Sequence, residues 1–327
     1  MKVSLFEGAS HDRPVAALGL LLTGVLALAF QDTLVKFMSG ETSFWQFQAL
    51  RSLGNLGFAF VLALGSGGLV LLVPRNTRAV VFRAVVMVCC MFCFFAGSPF
   101  LSISQMAAGL YTYPLFVSAL AAPVLGEKVG PWRIGALLLG ACGALLVLDP
   151  FDEDFSLLQV LPVMAGFFYA INILTIRKYC RNESPLALAF SVAIAFLGCG
   201  FLGIGILTWY PLSPDLQQAN PFIAVGWPTL TLAIFGFVIL ASVLNLTGNI
   251  CLSRAYQTAD SSLLAPLDFS YLLFTALWGK VLFDSWPTNQ AIAGITLIAT
   301  AGIVTAWREQ SGKARALGSE KDARESV

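Results

Sequence analysis

The chain has 327 residues, 57% of them hydrophobic and only 11% charged, with a formal net charge of +1. Soluble domains carry about a quarter charged residues, so this balance excludes an ordinary soluble domain and points to a multi-pass membrane protein. A net charge this close to zero gives no electrostatic basis for a nucleic-acid partner.

A helical crossing of a bilayer needs roughly 20 mostly apolar residues. The sequence predicts ten crossings, near residues 14–36, 43–64, 78–97, 101–124, 131–149, 156–178, 185–209, 227–253, 260–283 and 288–307. Residues 1–13 form a polar tail of mixed charge. The first apolar stretch runs straight into a full crossing, so no cleavable signal is expected. From about Gln310 the chain alternates basic and acidic residues, and 308–327 is expected to be a disordered cytoplasmic tail. The fifth crossing carries Gly135, Gly140 and Gly143, and the tenth carries Gly294, Ala299 and Gly302 at the same spacing. This match divides the chain into two halves, 14–149 and 150–307, each of five crossings. An odd number per half places the halves in opposite orientations, as in inverted-repeat transporters. The expected fold is an all-α membrane protein with ten transmembrane helices in two inverted five-helix repeats.

Positive charge sorts by loop parity. With the N-terminus in the cytoplasm, the inner side collects Lys2, Arg13, Arg75, Arg78, Arg83, Lys128, Arg133, Arg177, Lys178, Arg181, Arg254 and the basic residues of the tail. The outer side keeps Lys36 and Lys280, and Arg51 lies within the second crossing. That bias predicts a multi-pass protein of the inner membrane with both termini cytoplasmic.

Ionisable groups inside membrane segments usually face a cavity or a partner. Asp32 and Lys36 are four residues apart on one face of the first crossing. They read either as an interfacial ion pair with Lys36 snorkelling, or as inward groups. Arg51 either binds solute or pairs with Asp32. Asp268, in the ninth crossing, has no basic residue within a turn and is expected to face a cavity. Asp32 and Asp268 are placed near opposite membrane faces. The fourth and ninth crossings carry Pro114 and Pro266, read as helix kinks that free backbone carbonyls toward a central cavity. Tyr111, Tyr113 and Tyr271 surround these kinks. Tyr169, Asn172 and Asn245 extend the set, although intramembrane Asn also serves as interhelical glue. The seven cysteines show no spaced CxxC pair and read as small packing residues.

The same positions carry a family resemblance. Leu34-Val35-Lys36, Arg51-Ser52, Pro114-Leu115-Phe116 and Leu125-Gly126-Glu127 in the first half, with Arg254-Ala255-Tyr256, Ala265-Pro266-Leu267-Asp268-Phe269 and Tyr271 in the second, resemble the EamA-domain members of the drug/metabolite transporter superfamily. The resemblance covers about residues 14–307. Asp32-x-x-x-Lys36 with Arg51-Ser52 is similar to a subgroup that includes S-adenosylmethionine uptake carriers and riboflavin importers. The sequence departs from the family pattern at Phe283-Asp284-Ser285 and at Leu101–Gln105, which borders the expected cavity mouth.

The expected function is a secondary transporter of a small organic metabolite, amine-bearing or zwitterionic with a planar ring, working by alternating access. Asp32, Arg51, Tyr111, Tyr113, Tyr169, Asn172, Asn245, Asp268 and Tyr271 are the candidate binding residues. No nucleotide-binding Gly-x-x-x-x-Gly-Lys motif occurs, so no ATP-driven step is expected. An enzyme is not expected: the sole histidine is His11, in the tail, which removes histidine triads and histidine-ligated zinc. No cofactor or metal is expected. The expected partners are a small-molecule substrate and membrane lipid, with a monomer or homodimer as the assembly. The competing reading is a lipid or head-group translocator or a non-transporting scaffold.

Overall fold

The computed structural model describes residues 14–125, 131–149, 156–180, 183–258, 264 and 267–304. Over these residues the chain is helical, without a β-strand. We number the helices α1 (Pro14–Met38), α2 (Phe44–Ser66), α3 (Thr77–Ala96), α4 (Ile103–Leu110), α5 (Tyr113–Leu125), α6 (Pro131–Leu148), α7 (Leu161–Tyr179), α8 (Pro185–Trp209), α9 (Pro214–Ala219), α10 (Pro221–Ala224), α11 (Leu232–Thr258), α12 (Ser270–Phe283) and α13 (Asn289–Val304). Among the described residues, six stretches are long and apolar enough to cross a membrane: Val15–Met38, Phe44–Ser66, Thr77–Ala96, Leu157–Ile176, Pro185–Trp209 and Leu232–Leu252. Three shorter apolar helices are Ile134–Leu148, Ser270–Phe283 and Asn289–Val304.

Local sequence sets the helix ends. Ser43 accepts a hydrogen bond from the Gln46 N–H and Asn76 accepts one from the Ala79 N–H, capping α2 and α3. Ser184 caps α8, whose first residue is Pro185, a position where the missing N–H costs nothing. The helices are apolar on nearly all faces, and large side chains such as Val61, Leu202 and Leu273 remain exposed on the protein's outside. In water this would be an aggregation hazard; in a bilayer it is the lipid-facing surface. The fold is that of a multi-pass membrane protein.

The fourth expected crossing, 101–124, is two helices. α4 ends at Leu110, Tyr111 and Thr112 form a turn, and α5 starts at Tyr113. Pro114 therefore lies in the first turn of a new helix and does not kink the interior of one. The break is supported by the Thr112 hydroxyl, which donates to the Gly109 carbonyl at 2.6 Å. Pro266 lies outside the described residues. The eighth helix of the expected set begins at Leu232 rather than near residue 227, and Gly226–Trp227 form a bend ahead of it.

The long helices pair across the two halves: α1 packs along α11, α2 along α8 and α3 along α7. Small residues allow the approach. A Cβ added to Gly24 would lie 2.9 Å from the Gly248 carbonyl oxygen, and one on Gly203 would lie 2.1 Å from the Trp45 ring. The last helices of the halves also meet, because a Cβ on Gly143 would lie 2.7 Å from the Gly294 carbonyl and one on Gly294 2.6 Å from the Gly143 carbonyl. Gly135, by contrast, faces open space. The glycines matched by sequence spacing are therefore not matched in contact.

Candidate functional site

Four tyrosines, from the turn after α4 and from α5, α7 and α12, converge at the broken helix. The rings of Tyr111 and Tyr271 stack, with centroids 5.0 Å apart and an interplanar angle of 14°. Tyr113 meets Tyr111 edge-on at 5.8 Å, and Tyr169 meets Tyr113 edge-on at 4.9 Å. Phe269 closes the group against Tyr111 at 5.5 Å. The turn at Tyr111–Thr112 makes this possible. An unbroken helix places residues two apart on different faces, whereas here Tyr111 and Tyr113 touch.

Both intramembrane aspartates border this aromatic centre. The Tyr271 hydroxyl donates to Asp32 Oδ2 at 2.5 Å. The Tyr113 hydroxyl donates to Asp268 Oδ2 at 3.3 Å, and the Tyr111 hydroxyl donates to the Asp268 carbonyl at 3.1 Å. Asp32 and Asp268 are thus linked through the Tyr271–Tyr111 stack, and the expectation that they sit near opposite membrane faces is corrected. The reason is that α12 starts afresh at Ser270, just past Asp268, and carries Tyr271 to α1.

Asp32 also differs from the expected pairing. Its other oxygen accepts from Gln31 Nε2 at 2.9 Å. Lys36 turns away, donating to the Ser98 carbonyl at 2.5 Å and lying 5.4 Å from the Phe283 ring centroid. The two residues share a helix face but form no ion pair. From Gln31 a polar chain continues: Asn245 Nδ2 donates to Gln31 Oε1 at 2.9 Å, and Asn55 Nδ2 donates to Asn245 Oδ1 at 3.4 Å. Asn245 therefore joins α11 to α1 and α2. Asn249, on the same face, only bonds back to the Asn245 carbonyl at 2.7 Å.

Arg51 is 4% exposed. Its Nη2 donates to Gln48 Oε1 at 2.7 Å, and its guanidinium lies 5.2 Å from the Phe47 ring and 5.6 Å from the Phe196 ring. Asp32 is within electrostatic reach of it but makes no salt bridge with it. Two donors here have no acceptor, Arg51 Nε and Gln48 Nε2. Asn172, on α7 one turn past Tyr169, is buried with its Oδ1 unpaired, and no hydrogen bond joins it to the tyrosines. Gln31, Gln48 and Asn55 are site residues that the charge-led reading passed over. Their signal was available: each is an amide side chain inside an otherwise apolar span, beside a charged group or a facing Asn.

Lys280 and Asp284 form an ion pair at the end of α12, and the neighbouring ammonium holds the Asp284 carboxyl below the usual carboxylate range. Gln105, at the start of α4, completes a capping box with Ser102.

Aromatic, acidic and basic side chains are thus gathered where the helices of this polytopic protein meet. The profile of the EamA-like transporter family matches residues 15–149. A riboflavin transporter of Vibrio cholerae serotype O1 is 30% identical over 212 residues, 64% of this chain and 65% of that protein. The aligned stretch thus spans just under two thirds of that relative's length. A riboflavin transporter of Rhizobium johnstonii is 27% identical over 299 residues, covering 88% of this chain and 90% of its own. A solved crystal structure superposes with a TM-score of 0.56 at 17% identity, over 88% of this chain and 97% of that one, a likeness of fold. Residues 15–149 thus resemble the EamA-like transporter family, and the full-length likeness is to proteins described as transporters.

Proposed function

We propose that the chain is a secondary transporter that moves a small organic metabolite with a planar ring and amine-bearing or zwitterionic character across the inner membrane. In this reading the membrane is crossed ten times: by the six long spans, by the three shorter apolar helices, and by α4 and α5 together. Residues 14–149 and 150–307 are the two inverted repeats, which rock against each other in alternating access. The pairing of α1 with α11 and of α3 with α7 supports this, since an inverted repeat exchanges those two pairs and maps α2–α8 onto itself.

The observation that carries the reading is the tyrosine centre. A stacked aromatic pair flanked by two carboxylates, with a buried guanidinium nearby, offers a planar solute ring surfaces for stacking and its polar groups both signs of charge. The riboflavin transporters among its relatives make an isoalloxazine-like ring the first class to test. Asp32, Arg51, Tyr111, Tyr113, Tyr169, Asn172, Asn245, Asp268 and Tyr271 are the proposed contacts. Both termini are placed in the cytoplasm by the sorting of positive charge.

The test is flux of labelled riboflavin, S-adenosylmethionine and amino acids in proteoliposomes, with wild type beside Asp268→Asn, Arg51→Ala and Tyr111→Ala. Saturable flux of one solute that falls at least tenfold in these variants is the expected result. Flux unaffected by all three would remove the tyrosine centre from the site. Absence of flux for every solute would favour a lipid or head-group translocator.

A further inference from the structure

A cleft of about 270 Å³ opens where the end of α1, the start of α4 and the end of α12 come together. Lys36, Phe100, Ser102, Ser104, Phe283 and Ser285 are among the residues lining it. It is separate from the tyrosine centre, one helical turn along α1 from Asp32. Its polar side chains are one ammonium and three hydroxyls, with no carboxylate. The first two backbone N–H groups of α4, on Ile103 and Ser104, have no intrahelical acceptor, because the next two are taken: the Gln105 N–H by the Ser102 hydroxyl at 3.2 Å, and the Met106 N–H by the Ser102 carbonyl at 3.1 Å. Ser104 is 3% exposed and lines the cleft, and its hydroxyl makes no hydrogen bond among the described residues. Lys36 Nζ uses one donor on the Ser98 carbonyl and keeps two more. Asp284, beside the lining residue Ser285, is held by Lys280 and is 89% exposed, and Asp32, one turn along α1, is engaged by Tyr271 and Gln31, so no carboxylate is among the residues lining the cleft.

We propose that this cleft binds an anionic group, a carboxylate or a phosphate monoester, on an otherwise apolar or aromatic molecule that lies over Phe100 and Phe283. The physical basis is a helix N-terminus with free N–H groups, a buried unpaired hydroxyl and an ammonium converging on one space. Either a solute phosphate or a lipid head group presents this chemistry. As an entry station it rests on the transporter reading; as an anion site it does not.

Flavin mononucleotide and riboflavin are a matched pair of probes, with the same fluorescent ring with and without a phosphate. Binding is followed by flavin fluorescence anisotropy with the full chain in nanodiscs. Flavin mononucleotide is expected to bind saturably, more tightly than riboflavin, and to be displaced by inorganic phosphate. Lys36→Gln weakens it about tenfold and Ser104→Ala severalfold, while Lys36→Arg restores it. Equal binding of the two flavins, or binding unchanged in both Lys36→Gln and Ser104→Ala, overturns the proposal. Where Lys36→Gln fails to fold, Ser104→Ala decides alone. Competition by phosphatidic acid discs that disappears in Lys36→Gln assigns the site to lipid; equal binding in phosphatidylcholine and phosphatidic acid discs assigns it to solute. Riboflavin flux without such binding refutes the anion site and leaves the transporter reading standing; binding without flux does the reverse.

Discussion

Arg51 is held in a way that lysine cannot copy. Its guanidinium lies near two aromatic rings, Phe47 and Phe196, and one nitrogen is fixed by Gln48. A planar, weakly hydrated cation suits that slot, while an ammonium is compact and strongly hydrated. Arg51→Lys is therefore expected to keep the charge yet lose at least tenfold in transport, with flux as the measurement; full activity would reduce Arg51 to a point charge. Tyr271 allows a finer separation. Its ring stacks on Tyr111 while its hydroxyl serves Asp32. Tyr271→Phe keeps the stack and removes one hydrogen bond to a charged group, a change of about 1.5–3 kcal/mol. A lowered thermal midpoint in detergent with solute binding retained is the expected outcome. If binding vanishes while the midpoint holds, the hydroxyl contacts solute and does not merely position Asp32.

At the scale of elements, close helix approach depends on which glycines face backbone. Gly143 and Gly294 face each other's carbonyls, whereas Gly135 faces nothing within 4 Å. Gly143→Ala and Gly294→Ala force the last helices of the two halves apart and are expected to cost about 1–3 kcal/mol each. Gly135→Ala should be neutral, as measured by thermal unfolding in detergent. The sequence spacing from which a repeat is expected gives Gly135 and Gly143 equal weight; only packing distinguishes them. The broken crossing shows the same limit. A proline within an apolar run marks a disturbance, but Gly109-Leu110-Tyr111-Thr112-Tyr113-Pro114 does not say whether the helix bends or stops. The answer depends on the Thr112 hydroxyl reaching the Gly109 carbonyl. The all-helical, multi-pass character and the long spans were legible because a bilayer imposes a length on every apolar run. The aromatic centre was legible as a set of residue types. Its wiring was not: the pairing of Asp32 with Tyr271 rather than Lys36 spans more than two hundred residues of sequence.

For the whole molecule, side-chain ties between distant loops carry the argument on topology. The Glu183 carboxylate accepts the backbone N–H groups of Arg75 and Asn76 at 2.9 and 2.6 Å. Lys178 reaches the Val124 carbonyl at 2.7 Å. At the other end, Ser43, Trp45 and Gln46 donate to the carbonyls of Gly226, Ile223 and Pro228. Each tie joins segments that the sorting of positive charge assigns to one side of the membrane. A single extra or missing crossing between tied loops would put the two partners on opposite faces, about 30 Å apart across the hydrocarbon. Single cysteines introduced into a background lacking the seven native ones test the assignment. With a membrane-impermeant maleimide on intact cells, Trp227→Cys and Asp284→Cys are expected to react, whereas Arg75→Cys and Asn76→Cys react only after permeabilisation. Labelling of all four from outside would break the parity and with it the inverted repeat. The Glu183 tie also joins the first and second parts of the chain, on the side that the charge sorting assigns to the cytoplasm, so it has to open if the proposed halves rock. A bis-maleimide bridge between Asn76→Cys and Glu183→Cys should then stop flux while leaving solute binding measurable from the outer side. Undiminished flux in the bridged protein would mean that the inner face does not part at this contact.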